Sequence, residues 1–302
     1  MFGRRDWTRT AMAALPGLWL ALFVLAPLAV LTRISFSESA SAQPPYRPVL
    51  PSSLEPERWR EFFSGLGLGS YRTLLSDPLY RDAILSSIAL AGLATAIVAP
   101  IGYGVALALA RASPRWRPTL IALVVLPFWT SFLVRVYAWI AILKTDGWLN
   151  QALLAVGLIR TPLLILNTDA AVLVGLVSAY LPFMILPVYA ALDRQDPALI
   201  EAAADLGASP LRRFWTVTFP LAWPGLAAGS LLCFIPMVGE YVIPDLLGGA
   251  DTLMLGRALW IEFSANRDWP LAAAVAIVLL AILLVPIIIL REIEARRLEG
   301  AR

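Results

Sequence analysis

Long apolar runs separated by short polar connections set the pattern of this chain. Six of the runs are long enough to cross about 30 Å of hydrocarbon at about 1.5 Å per helical residue. They cover residues 11–32, 83–110, 118–143, 169–192, 221–243 and 269–290. The pattern predicts an all-α polytopic membrane protein with about six transmembrane helices, filling residues 1–302 as a single domain with no short-period repeat. Pro16, Pro27, Pro100, Pro127, Pro182, Pro187, Pro236 and Pro286 fall inside the runs. Proline frees a backbone carbonyl and kinks a helix, which a bundle tolerates where neighbours satisfy the group, and prolines are common in membrane helices in any case.

Two polar segments interrupt the runs. Residues 33–82 are the larger. Their start, SESASAQPPYRP, reads as an extended linker, and ERWREFFSGLGLGSY as a short amphipathic helix on the outer surface. The second, residues 193–220, reads as a polar elbow of two short surface helices. Asp196 is placed to cap the first helix, with Pro197 at a position whose missing N–H costs nothing, and Gly207 to stop it in a left-handed conformation. Ser209 and Pro210 restart a second helix by the same logic. Ala202, Ala203 and Ala204 leave a smooth face, while Glu201, Asp205, Arg212 and Arg213 offer charges for docking. A solvated loop whose charges only face water is the other reading of the same residues.

Composition agrees with the bilayer. A 59% hydrophobic share with only 15% charged residues does not suit a soluble globule of this length. Arginine sets the orientation: Arg4, Arg5 and Arg9 precede the first run, Arg111, Arg115 and Arg117 crowd the second connection, Arg194, Arg212 and Arg213 sit in the elbow, and Arg291, Arg296 and Arg297 follow the last run. Arg47, Arg58, Arg60 and Arg72 lie in the long opposite segment, where the positive-inside rule carries little weight. Both termini and the elbow are therefore expected in the cytoplasm. Juxtamembrane arginines account for an isoelectric point near 9.2, so no nucleic-acid partner is implied. Ala40 and Ala42 ahead of Gln43 resemble a signal-peptide cleavage site, but the first apolar run is longer than a usual signal core and reads as an uncleaved helix.

The missing residue types narrow the chemistry. The chain has no histidine, one cysteine (Cys233) and one lysine (Lys144) outside any Gly-rich loop. That leaves no His/Cys metal cluster, no histidine-based nucleophile pair, no disulfide and no Walker A site. No cofactor is expected. Glu55, Glu57 and Glu61 look like a solvated helix face, not a catalytic cluster.

EAAADLG followed after nine residues by VTFP is similar to the signature of inner-membrane permease subunits of binding-protein-dependent ABC importers. Glu201, Ala202, Ala203, Gly207 and Pro220 match it, and Val217 and Phe219 replace its aliphatic pair. LPFWTSFLVRVYAWI (126–140), YLPFMILPVYAALD (180–193), GEYVIPDLLGG (239–249) and FSANRDWPLAAA (263–274) resemble the spermidine/putrescine branch of that family. The resemblance implies an importer permease-like bundle in a bacterial inner (plasma) membrane, transporting polyamines or a related small solute. It implies as partners a cytoplasmic ATP-binding-cassette ATPase that hydrolyses the ATP, a related second permease subunit and a periplasmic substrate-binding protein, all around a subunit held in the lipid bilayer. The elbow would then be the coupling element, with Glu201 and Asp205 docking, Gly207 bending, Ser209 restarting the chain and Arg212 and Arg213 at the rim.

Arg135 in the third run and Glu240 in the fifth are charges in apolar zones. A carboxylate on the pathway would help neutralise a cationic amine, with Phe128, Trp129, Tyr137, Trp139 and Tyr241 as cation–π faces. An Arg135–Glu240 structural pair, snorkelling of Arg135 and an aromatic belt are the competing readings. The competing function class is a gradient-driven carrier or channel working without an ATPase. Paired inverted repeats and several mid-membrane charges would favour it, and neither is evident here.

Overall fold

Six apolar runs become five membrane-length helices and one bent pair in the computed structural model, which describes Met12 and residues 14–300. Arg4, Arg5 and Arg9 lie outside the described residues, as does the side chain of Arg297. In chain order the elements are α1 (Ala14–Ser35), β1 (Glu38–Ser39), β2 (Tyr46–Arg47), α2 (Pro56–Ser64), α3 (Gly69–Ser76), α4 (Pro78–Arg111) and α5 (Arg117–Trp129). They continue as α6 (Phe132–Leu143), α7 (Trp148–Ala155), α8 (Asp169–Asp193), α9 (Pro197–Asp205), α10 (Pro210–Val238), α11 (Val242–Leu247), α12 (Leu255–Ser264) and α13 (Trp269–Gly300). Pro100, Pro182, Pro187, Pro224, Pro236 and Pro286 all sit inside helices that remain continuous.

The chain gathers into two compact units, Met1–Arg81 with Ala258–Ala281, and Asp82–Arg257 with Ile282–Arg302. In the first unit the expected linker is a small antiparallel hairpin, Glu38 opposite Arg47 and Ser39 opposite Tyr46. It is fastened to the end of α1, because Arg33 Nη2 donates to Tyr46 Oη at 2.9 Å and its guanidinium lies 5.4 Å from that ring's centroid. The expected single amphipathic helix is two, α2 and α3, since the glycine-rich GLGLG interrupts it. Phe62 and Leu74 are their buried anchors, and Ser35 Oγ and Tyr71 Oη share a hydrogen bond at 2.7 Å.

In the second unit α8 and α10 form the most extensive helix pair. Gly225 and Gly229, four residues apart on α10, let the backbones approach. A Cβ at Gly225 would stand 2.6 Å from the Pro187 carbonyl oxygen, and one at Gly229 2.8 Å from Met184 Sδ. Met184 also fills the notch at Gly102, so three helices meet around one flexible side chain. Gly175 on α8 makes room for Ile243 and Leu247 of α11. The connection after α11 is tied down by Arg257, which donates to Asp245 at 3.1 Å and to the Gly249 carbonyl at 3.0 Å, and by the 2.5 Å bond from Thr252 to Asp169.

Three expected boundaries differ. The third run is not one helix: α5 and the chain from Phe132 to Ala155 meet at 89°, with Thr130 and Ser131 extended between them. Pro127 lies one turn before the break, and hydropathy hides it because both arms are equally apolar. The fifth helix stops at Val238, with Gly239 as its cap, so Glu240 lies just beyond the helix and not within it. The second elbow helix is not separate either, since Pro210–Arg213 runs through a five-residue π turn, Phe214–Thr218, directly into the rest of α10.

Candidate coupling elbow and pathway cavity

The elbow is built from local backbone chemistry. Asp196 is extended at φ −71° and ψ 118°, and its Oδ1 accepts the Ala198 N–H at 2.9 Å, with Pro197 as the first helical residue. At the other end Gly207 has φ +78°; its N–H reaches the Ala204 carbonyl at 2.8 Å, and the Ala208 N–H reaches Ala203 at 3.0 Å. Those two bonds are the paired closures of a Schellman stop, which needs a left-handed residue where glycine stands. Ser209 Oγ accepts the Arg212 N–H at 3.4 Å and starts α10. Gln195 Nε2 donates to the Thr218 carbonyl at 2.9 Å and draws the two ends of the elbow together. Arg117 bonds Asp193 at 2.8 Å and the Ala110 carbonyl at 2.9 Å, fixing the end of α8 beside those of α4 and α5.

Glu201, Ala202, Asp205, Gly207, Ser209 and Arg212 are exposed, while Ala203 and Arg213 are half-buried. Glu201 and Asp205 thus share one short helix, and Arg212 and Arg213 stand past its turn in the first residues of α10. Sequence reading missed the apolar tip: Leu206 is 88% exposed and Leu211 69% exposed on either side of Gly207.

A cavity of about 520 Å³ opens between α5, α6, α8 and α10, bordered by Phe128, Phe132, Arg135, Tyr180, Phe183 and Pro236 among others. Phe128 meets Phe183 edge-on at 4.9 Å, and the Arg135 guanidinium lies 5.7 Å from the Phe132 centroid. Tyr180 Oη donates to Glu240 Oε2 at 2.7 Å, while Glu240 Oε1 accepts the N–H groups of Tyr241 and Val242 at 3.1 and 3.0 Å. Glu240 therefore holds the start of α11, and the Arg135–Glu240 pair weighed from the sequence is not formed. Trp139 Nε1 is committed to Ser178 Oγ at 2.8 Å. Trp129 and Tyr137, 86% and 56% exposed, do not border the cavity, nor does Tyr241. Of the residues expected on the pathway, Arg135 and Phe128 line this cavity, with Phe132, Tyr180 and Phe183 supplying its other rings. Tyr180 was within a recognised motif, but its bond to Glu240 spans 60 residues and has no local signature.

A buried carboxylate, Glu262, went unnoticed in the sequence. It is 8% exposed, accepting from Tyr80 Oη at 2.7 Å and from Asn266 Nδ2 at 2.9 Å. Both oxygens are satisfied, as a buried carboxylate requires, and the i, i+4 spacing to Asn266 was its one legible signal. Among the described residues no cluster of three or more His, Cys, Asp or Glu is arranged to hold a metal ion.

Residues 9–298 match the family model described as the binding-protein-dependent transport system inner membrane component. The chain belongs to that family. It is 45% identical over 215 residues to the spermidine/putrescine transport system permease protein PotB of Haemophilus influenzae, covering 70% of this chain and 75% of the relative. The PotB of Escherichia coli K12 is 43% identical over 212 residues, covering 70% and 77%, and the inner membrane ABC transporter permease protein YdcU of the same strain is 37% identical over 234 residues, covering 72% and 74%. Among solved structures, a chain of a bacterial alginate ABC transporter in complex with its alginate pentasaccharide-bound periplasmic protein superimposes with a TM-score of 0.75. The match covers 97% of this chain and 96% of that one at 18% identity, so it shows the fold alone. A chain of the MetNI methionine ABC transporter gives 0.52, at 19% identity over 74% of this chain and 96% of that one.

The family makes this a multi-pass inner-membrane permease subunit of a transport system containing an ATPase, a second permease and a substrate-binding protein. Its relatives are transporter permease subunits, not enzymes, and a carrier working alone is set aside.

Proposed function

We propose that this chain is a permease subunit of an ATP-driven importer for polyamines of the spermidine and putrescine class. The observation that carries the substrate class is the 45% identity, over most of the chain, to a relative named for spermidine/putrescine transport. Residues 193–220 face the cytoplasm with both termini, as the arginines along that side favour, and residues 33–82 face the periplasm. ATP is hydrolysed on the separate ATPase subunit. Glu201, Asp205 and Arg212 bind that subunit with Leu206 and Leu211 as the apolar contact, and closure of the ATPase displaces α9. Ala202 and Ala203 let the surfaces approach, Gly207 and Ser209 keep the bend, and Arg213 braces its inner side. The displacement passes into α10, which helps to wall the cavity, and so converts to alternating access.

The cavity chemistry fits a slender cationic chain. Phe128, Tyr180 and Phe183 present ring faces and edges, and Tyr180 leads to the carboxylate of Glu240. Trp129, Tyr137, Trp139 and Tyr241 extend the aromatic surface beyond it. The test is uptake by the complete complex in proteoliposomes with ATP inside, using candidate binding proteins loaded with spermidine, putrescine, amino acids or oligosaccharides. ATP-dependent accumulation of polyamines, lost in Glu201→Lys, is the expected result. Accumulation of another solute class with none of polyamines overturns the substrate assignment, and unchanged uptake by Glu201→Lys overturns the docking role.

A further inference from the structure

The break in the third membrane segment lies at an exposed place. From Arg117, beside the elbow, to Trp129 the helix climbs about 20 Å at ordinary helical rise, well into the hydrocarbon. There Thr130 and Ser131 are extended, and non-helical backbone at that depth persists only against protein or a water-filled cavity. This chain leaves the break uncovered: Trp129 is 86%, Val134 62% and Tyr137 56% exposed.

Beside the break, Arg135 has a buried Nε with no hydrogen-bond partner. It belongs to none of the ion pairs among the described residues, and its guanidinium lies 5.7 Å from the centroid of the Phe132 ring. The carboxylate of Glu240, reached from the cavity through Tyr180, is already occupied by that tyrosine and two backbone N–H groups. A guanidinium at the edge of an aromatic cavity in the apolar zone is costly until a carboxylate meets it, and arginine's planar fork suits that meeting.

We propose that a carboxylate on a membrane helix of the second permease subunit pairs with Arg135 and that this subunit covers the break at Thr130–Ser131. The charge, the uncovered backbone and the exposed aromatic residues all call for the same occupant. The inference rests on the family's two-permease composition and not on the substrate.

In the full complex, Arg135→Glu is expected to reduce co-purification of the second permease at least tenfold while the ATPase is still retained through the elbow. Replacing a single Asp or Glu in a membrane helix of the second permease by Arg restores it, whereas Arg135→Lys keeps much of the wild-type recovery. Wild-type recovery and uptake in Arg135→Glu would overturn the proposal, as would failure of every such acid-to-Arg replacement to rescue. Loss of the ATPase from the wild-type complex as well would indict the elbow reading instead. An independent arm needs no charge reversal: Trp129→Cys in a Cys233→Ala background, labelled with a benzophenone maleimide and irradiated, should crosslink to the second permease. Labelling only by a lipid-dissolved maleimide, with no crosslinked subunit, overturns the proposal and assigns the surface to lipid.

Discussion

Gly207 is held at φ +78° with open space where a Cβ would point, so its requirement is conformational and not steric. An L-residue with a branched side chain pays about 1–2 kcal/mol in that left-handed region, whereas asparagine tolerates it. Gly207→Val is therefore expected to leave the membrane helices folded but to lower ATPase stimulation by loaded binding protein several-fold, with Gly207→Asn close to wild type. Equal stimulation in the Val variant would show that the bend is dispensable. The cap at Asp196 and the stop at Gly207 were legible in the sequence because each depends on partners within five residues. Glu240 was not, because its fate is decided by a tyrosine on another helix and by the exact residue at which α10 ends.

Among the elements, the pairing of α8 with α10 makes a sharper demand. At Gly225 an added Cβ stands 2.6 Å from the backbone oxygen of Pro187, which cannot step aside cheaply; at Gly229 the nearest atom is Sδ of the flexible Met184 side chain at 2.8 Å, with backbone no closer than 3.2 Å. Gly225→Ala should therefore cost about 1–3 kcal/mol, the range for overpacking, and Gly229→Ala less. Thermal unfolding in detergent checks the order, and a larger loss at Gly229 would contradict the packing described. The six apolar runs were readable because a bilayer imposes length and composition on every span. The bend between α5 and α6 was not, because that same demand keeps both arms apolar and leaves Pro127 indistinguishable from the prolines that α4, α8, α10 and α13 absorb without breaking. The hairpin at Glu38–Arg47 escaped notice for another reason: its strands are two residues each and depend on Arg33 of α1.

For the whole molecule, the arginine pattern makes a prediction about sidedness that the buried Cys233 makes easy to test, since Cys233 is fully covered. Single cysteines at Ser209 in the elbow and Ser52 in the long polar segment, both exposed, should react oppositely with a membrane-impermeant maleimide. In intact spheroplasts Ser52→Cys is expected to label and Ser209→Cys only after permeabilisation; the reverse would invert the orientation and with it the assignment of the ATPase to the elbow. Family and architecture were both within reach of the sequence, because the motifs of the elbow and the spans lie in order along most of the chain. What the sequence withheld was which side chains face one another across helices, and that is where the cavity and the solitary guanidinium of Arg135 came to light.

Pro210–Val238 runs without a break for about 43 Å at ordinary helical rise, through its π turn and past Pro224 and Pro236. A tilt of about 5° imposed at its elbow end would swing the opposite end by about 4 Å for a rod of that length. A swing of that size rivals the breadth of an alkyl chain, so a modest stroke by a motor outside the membrane is enough to open or shut a slot for a thin solute.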